Sequence, residues 1–375
     1  MKRISFLLAA LLLIVSACNR HNNQNVTING VLPNAEFEGM MVYLSAMGED
    51  GLLDSAVVKD GKFQFVDTLD MTKIGVIRTP RAVSGIQYHS TLVLENGTIY
   101  IDLETDSLSG TALNDSMYCL FTNDSRAKEF EMLRSHALEA YYNAATAEAR
   151  HEAELDYDQI DSALNHYAST QALRIYNSHQ ADILGAYALY VHAQSSDISY
   201  EDLDQLMSKA EAVVTTFAPL CKLHSRLYNV ANTSEGKTFT DIEGIDFVTG
   251  EPTKLSAMLG ESEATIIDFW ASWCGPCRQE IKENLIRLYD AYKDKGLNII
   301  GVDVWDKIPD HKTAVENMGI QYPQLIDTTR TATDNYGVEG IPTILLLDKN
   351  GTIVRRGIRG EQIEEAVVEL LKINE

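Results

Sequence analysis

From residue 26 to about 108, short runs of strand-forming residues alternate with turn residues. Met41-Val42-Tyr43-Leu44, Phe63-Gln64-Phe65, Leu92-Val93-Leu94 and Ile99-Tyr100-Ile101 are rich in β-branched and aromatic side chains and predict strands. Between such runs stand Lys59-Asp60-Gly61-Lys62 and Glu95-Asn96-Gly97-Thr98, where Asp-Gly and Asn-Gly favour the positive φ angles of tight hairpins. An antiparallel β-sandwich over 26–112, or a small barrel, is the expectation. From 113 to 232 the period changes. Phe130, Leu133, Ala137, Leu138 and Tyr141, then Leu203, Leu206, Met207, Ala210 and Val214, recur at helical spacing and predict a helical middle segment. Small polar residues at Ala231-Asn232-Thr233-Ser234-Glu235-Gly236 predict a linker. Over 237–375 strands and helices alternate, which predicts an α/β domain. Thr265 to Trp270 reads as a buried strand, Cys277 to Tyr292 as a helix and Leu297 to Val304 as a second apolar strand. Thr343 to Leu347 and Thr352 to Val354 form a hairpin around Asp348-Lys349-Asn350-Gly351, and Gln362 to Ile373 forms a closing amphipathic helix.

The first residues follow another pattern. Lys2 and Arg3 precede an apolar run from Ile4 to Val15 and the small-residue ending Ser16-Ala17-Cys18, the layout of an export signal over 1–17. As a helix the run reaches about 18 Å against about 30 Å of bilayer hydrocarbon, so spanning is disfavoured. Leu13-Ile14-Val15-Ser16-Ala17-Cys18 resembles a bacterial lipobox. That resemblance implies cleavage before Cys18, acylation of Cys18, a polar tether over 18–25 and a protein held at the cell-envelope membrane, facing the periplasm. Stable anchoring takes more than one acyl chain, at about 0.8 kcal/mol per buried methylene. Cleavage at a conventional signal site, leaving Cys18 as a free thiol, is the alternative.

The 375 residues, 45% of them hydrophobic, suffice for more than one core. A formal net charge of −23 without any Lys/Arg stripe argues against nucleic acid as a partner. Of five cysteines, Cys18 belongs to the leader and Cys274 and Cys277 form a C-x-x-C. Cys119 and Cys221 are either bridged, as an exported protein permits, or two buried thiols in a helical region. His136, His151, His166, His179, His192 and His224 show no metal-ligand spacing, and His311 stands alone in its domain, so no metal site is read. No cofactor is implied.

Cys274-Gly275-Pro276-Cys277-Arg278 falls where a strand passes into a helix. Unpaired N–H groups and the helix dipole there favour thiolate over thiol, from a pKa of about 8.5 toward about 7 in C-x-x-C sites. Cys274 is then the nucleophile that attacks a substrate disulfide, and Cys277, about one turn on, resolves the mixed disulfide. Half of a zinc site fails for want of two further ligands, and haem attachment needs His where Arg278 stands.

Asp268-Phe269-Trp270-Ala271-Ser272-Trp273-Cys274-Gly275-Pro276-Cys277 and Gly340-Ile341-Pro342-Thr343 resemble the two active-site segments of thioredoxins. Arg278-Gln279-Glu280 and the lead-in from Thr238-Phe239 to Leu255 resemble the membrane-anchored TlpA/ResA-type reductases within that superfamily. The preceding β region resembles an uncharacterised domain of envelope lipoproteins. The resemblance implies a thioredoxin-like fold and a cis Pro342. It places Trp273, Gly275, Pro276, Ile341 and Pro342 against an extended substrate, and gives Asp268 or Glu280 a proton to exchange with Cys277. An exposed position for Glu280 on its helix is the other reading. Lys282 departs from the family, which usually has a helix-kinking proline there. Gly275-Pro276 matches reducing thioredoxin, whose potential is about −270 mV, so a reductant is expected. Its implied partners are disulfides of envelope proteins, with apocytochrome c thiols among the clients, and a membrane electron donor that re-reduces the dithiol. A thiol peroxidase, or a binding or envelope-assembly lipoprotein working through its first 230 or so residues, are the alternatives.

Overall fold

The computed structural model describes residues 24–372, so the expected signal peptide, Cys18 and most of the tether lie outside the described residues. The chain divides into two compact units. One runs up to Ser196 and adds Glu211–Ala218; the other comprises Asp197–Ala210 and the chain from Pro219 onward. Among the described residues no helix is long and apolar enough to cross a membrane.

Among the described residues of the first unit, eight strands build two four-stranded sheets: β1 (Gln24–Val31), β2 (Met41–Ala46), β3 (Asp54–Val57), β4 (Lys62–Leu69), β5 (Lys73–Arg78), β6 (His89–Leu94), β7 (Gly97–Asp102) and β8 (Ser107–Ser109). Their orders are β4-β1-β7-β8 and β3-β2-β5-β6. Burial alternates along the strands, with Val26 and Ile28, Val42 and Leu44, and Phe63 and Phe65 inside, as one-sided sheets require. The expected sandwich is not wholly antiparallel, because β1 and β7 run parallel. Between them the chain builds the other sheet and adds β4 to this one, and it returns in the same direction. The two Gly-containing turns act at this level too. Asp60 (φ 52°) and Gly61 (φ 67°) make the tight reversal, bridged by Lys59 and Lys62, yet β3 and β4 then join different sheets. Asn96-Gly97 was expected to close a hairpin, but β6 and β7 also lie in different sheets. There the Asn96 amide donates to Gln24 Oε1 (2.9 Å) and its side chain accepts from Asn25 N (3.1 Å), making a corner rather than a hairpin.

Seven helices follow: α1 (Ala112–Met117), α2 (Ser125–Asn143), α3 (Ala147–Ser178), α4 (Ile183–Gln194), α5 (Tyr200–Met207), α6 (Ala212–Thr215) and α7 (Ala218–Asn232). Side-chain caps fix several starts: Asp124 accepts from Arg126 N and Ala127 N, Asp182 from Leu184 N and Gly185 N, and Ser199 from Asp202 N. The helical residues do not pack as one block. α5 and nearly all of α7 belong to the second unit, the others to the first. Nor is 231–236 a free linker: Thr233 is fully buried, its carbonyl and Oγ1 accept from Arg356 Nη1, and Gly236 N donates to Ile353 O. Cys119 is exposed, against the expectation of a buried thiol, Cys221 is half-buried, and no disulfide joins them.

The second unit continues with β9 (Glu243–Asp246), β10 (Pro252–Lys254), α8 (Leu255–Met258), β11 (Ala264–Trp270), α9 (Gly275–Glu280), α10 (Ile286–Tyr292), β12 (Leu297–Asp303), α11 (Ile308–Met318), β13 (Gln324–Ile326), α12 (Thr331–Tyr336), β14 (Thr343–Asp348), β15 (Ile353–Arg356) and α13 (Glu361–Leu371). Its sheet order is β10-β9-β13-β12-β11-β14-β15. Every residue of β11 is buried, and the strand is parallel to β12 and antiparallel to β14. Alternate β11 side chains enter two cores: Ile266 and Trp270 pack with Cys274, Cys277, Leu285 and Ile363, while Ile267 and Phe269 pack with Ile242, Tyr336 and Leu345. This is the expected α/β layout, and it delivers the end of β11 to the start of α9.

Candidate active site

The turn after β11 is held from the loop after β12. Ser272 donates its N–H and its Oγ (3.0 Å to Oδ1) to the Asp306 carboxylate, and Trp273 Nε1 donates to the Trp305 carbonyl at 3.1 Å. Trp305 takes a left-handed φ of 56°, uncommon for a bulky residue. Cys274 is the N-cap of α9, and its sulfur accepts from Cys277 N at 3.2 Å. The two cysteines form a disulfide with Cα atoms 5.3 Å apart. Cys274 is 4% exposed and Cys277 fully buried, so an incoming group meets Cys274 first. Gly275, Pro276 and Trp273 beside it are exposed. Cys274 Sγ lies 3.6 Å from the Ile341 carbonyl, and the Ile341–Pro342 peptide bond is cis.

Asp268 shares the β11 face of Ile266 and Trp270, whose core holds both cysteines. It is buried, and neither carboxyl oxygen has a hydrogen-bond donor. Burial pushes its pKa up to about 8; the Arg359 guanidinium opposes this and the Glu280 carboxylate adds to it. The Tyr322 hydroxyl, also buried and without a partner, is pushed well above its ordinary value by burial and by the nearby Asp268 charge. Glu280 is half-buried, not exposed: its carboxylate accepts from Asn284 Nδ2 (2.6 Å) and from Gly360 N (3.1 Å), tying α9 to the start of α13. Where Lys282 replaces the usual proline, one π-turn (Ile281–Leu285) interrupts the helix between α9 and α10. Such turns commonly mark functional sites.

Residues 236–356 match the AhpC/TSA family, and 26–117 match a domain of unknown function, DUF4369. The thiol-disulfide oxidoreductase ResA of Bacillus thuringiensis subsp. konkukian (strain 97-27) is 32% identical over 148 residues, which are 39% of this chain and 84% of that protein. The ResA protein of Bacillus anthracis is 34% identical over 133 residues, 36% of this chain and 71% of its own. The chain belongs to the ResA family of thiol-disulfide oxidoreductases. Among solved structures, the thioredoxin domain of a Bacteroides vulgatus thiol-disulfide oxidoreductase is 30% identical and covers 37% of this chain and 98% of that one, with a TM-score of 0.34. As a member of this family the protein is a thiol-disulfide oxidoreductase.

Several parts of this ResA-type site escaped the sequence reading. Asp306, Trp305, Tyr322 and Arg359 come from loops and elements far along the chain, and only folding brings them to the C-x-x-C. The one local signal is the polar Asp303-Val304-Trp305-Asp306 at the carboxyl end of a parallel strand, the edge where open α/β sheets place their sites. His311 does not stand alone either: Asp303 and Asp306 lie beside it, and their ligand atoms all fall within 4.8 Å of one another.

Proposed function

We propose that the protein is a membrane-tethered reductant of envelope-protein disulfides, working through Cys274 and Cys277. The supporting observation is the asymmetric pair at the start of α9: a Cys274 that keeps 4% exposure and whose sulfur accepts a helix N–H, linked to a fully buried Cys277. Thiolate Cys274 attacks a substrate disulfide, releasing one substrate thiolate and forming a mixed disulfide; Cys277 then displaces the second substrate thiol and closes the Cys274–Cys277 bond. Two electrons pass to the substrate. Asp268, kept protonated to near-neutral pH by burial, exchanges the proton that Cys277 must lose and regain. Trp273, Gly275, Pro276, Ile341 and Pro342 face the substrate, with backbone groups offered to an extended chain, and Glu280 secures the helix.

The lipobox-like segment ending at Cys18 supports anchoring at the periplasmic face of the envelope. There a membrane donor returns the electrons, and apocytochrome c is one candidate client. The test is a redox titration with trapping by Cys277→Ser. The expected outcomes are a potential near −270 mV and mixed disulfides that vanish in Cys274→Ser. A potential above about −150 mV would reverse the direction of electron flow, and rapid peroxide consumption by Cys274 would make the protein a peroxidase instead. Membrane fractionation of Cys18→Ser tests the anchor, with release to the soluble fraction expected.

A further inference from the structure

We propose that Asp303, Asp306 and His311 form a site for one divalent transition-metal ion, joined through Asp306 to the loop that carries Cys274. Asp303 ends β12, Asp306 lies in the loop beyond it, and His311 projects from α11. Asp303 is 3% exposed and His311 fully buried.

Three observations carry the assignment. His311 Nδ1 lies 3.1 Å from Asp303 Oδ1, close enough for an Asp–His hydrogen bond. The two face each other as an ion pair but are poorly aligned for a hydrogen bond, and His311 Nε2 has no partner. A buried imidazole and a buried carboxylate oxygen so poorly paired are costly and need an explanation. An ion ligated by the lone pairs of both supplies it, where a shared proton, which requires the N–H to point at the oxygen, does not. Second, the rings of Trp270 and Phe247 pack on the imidazole, with centroids 4.8 and 5.5 Å away. These apolar rings give the imidazole nitrogens no hydrogen-bond acceptor or donor. Third, Asp306 is half-exposed and offers a way in from solvent. Its oxygens accept from Ser272 and Lys307, but a carboxylate has about four lone-pair sites and keeps capacity for an ion.

The donor set decides the class of ion. One imidazole and two carboxylates suit Zn²⁺ and its first-row neighbours, rather than Ca²⁺ or Mg²⁺, which prefer all-oxygen shells, or Cu⁺, which prefers thiolate. Tetrahedral bonds of about 2.0–2.2 Å put ligand atoms about 3.3–3.6 Å apart. Ligand atoms now within 4.8 Å of one another would therefore draw together by about 1 Å on binding. Three protein ligands leave one position for water. Because the same Asp306 carboxylate holds the Ser272 amide, occupancy would stiffen the turn two residues before Cys274. That coupling rests on the redox reading of Cys274; the binding itself does not.

The test is calorimetric titration of Zn²⁺ into the oxidised full chain with Cys18, Cys119 and Cys221 replaced by serine, so that no thiolate competes. One ion per chain is expected, with affinity at least tenfold weaker in His311→Gln and in Asp303→Asn. Anomalous scattering from a Zn²⁺-loaded crystal of the same protein should place the ion among the three side chains, which decides the matter even if the variants fold poorly. No saturable binding, binding unchanged in both variants, or anomalous density elsewhere would overturn the site. Disulfide exchange by Cys274, assayed separately, keeps the redox reading independent of this result.

Discussion

Asp268 carries its proton for a reason visible in a single residue: a carboxyl group buried in an apolar strand with no donor cannot hold a charge cheaply. Its folded pKa of about 8 lies above the unfolded value, so the folded state binds the extra proton between about pH 4 and 8 and stability falls as pH rises through that window. Asp268→Asn removes the dependence. Urea denaturation should find the variant close to wild type near pH 4 and more stable above pH 8, by on the order of several kcal/mol at about 1.4 kcal/mol per unit. The pH–rate profile of disulfide exchange should lose its limb near 8 in the same variant, and an unchanged limb would remove Asp268 from the proton path. Glu280 acts differently, as an acceptor for Gly360 N. Glu280→Ala should cost about 1–3 kcal/mol by leaving that amide without its partner, and Glu280→Gln much less, as read from chemical denaturation. The sequence singled out both carboxylates and both cysteines, since a C-x-x-C between strand and helix is a local signature. It did not show that Asp268 lacks donors or that Glu280 has them, because those partners come from elsewhere in the chain.

At the scale of elements, helix and strand positions followed the periodicity closely in the second unit, where β11, the helix after Cys274, β12, the β14–β15 hairpin and α13 all lie where expected. The Asp-Gly and Asn-Gly turns were legible as tight reversals. Which strands they join was not, because turn chemistry fixes local φ angles and not the sheet a strand enters. The spacing on α2 predicted its helix and overstated its burial: Leu133 and Leu138 are 41% and 40% exposed. Lys282 shows the converse, since the helix breaks its regular hydrogen bonding there with a π-turn instead of a proline. The contact of α7 with the cap of α12 gives a test. Gly337 has φ 59°, and a Cβ there would stand 2.5 Å from Val230 Cγ2 and 2.9 Å from the Arg226 carbonyl. Gly337→Ala should therefore destabilise the second unit by about 2 kcal/mol or more, combining left-handed strain with overpacking, as measured by urea midpoint.

At the scale of the molecule, the packing units cut across the linear order. Asn229 Nδ2 donates to Asp334 O (2.9 Å), Arg226 pairs with Glu339 (3.0 Å), and Arg356 holds Thr233. A fragment of residues 219–375 should therefore melt several degrees above one of residues 237–375, which lacks these contacts; equal melting in circular dichroism would reduce α7 to a passive connector. By itself the sequence determined the redox chemistry, the α/β architecture that presents it and the order of strand-rich, helical and α/β segments, because each is written in neighbouring residues: a C-x-x-C, an apolar period, a turn dipeptide. Only the tertiary structure decided which helices belong to the redox unit, that the loop after β12 grips the cysteine turn, and that Asp303, Asp306 and His311 meet. Those depend on side chains distant in sequence being desolvated together, and no local pattern records that.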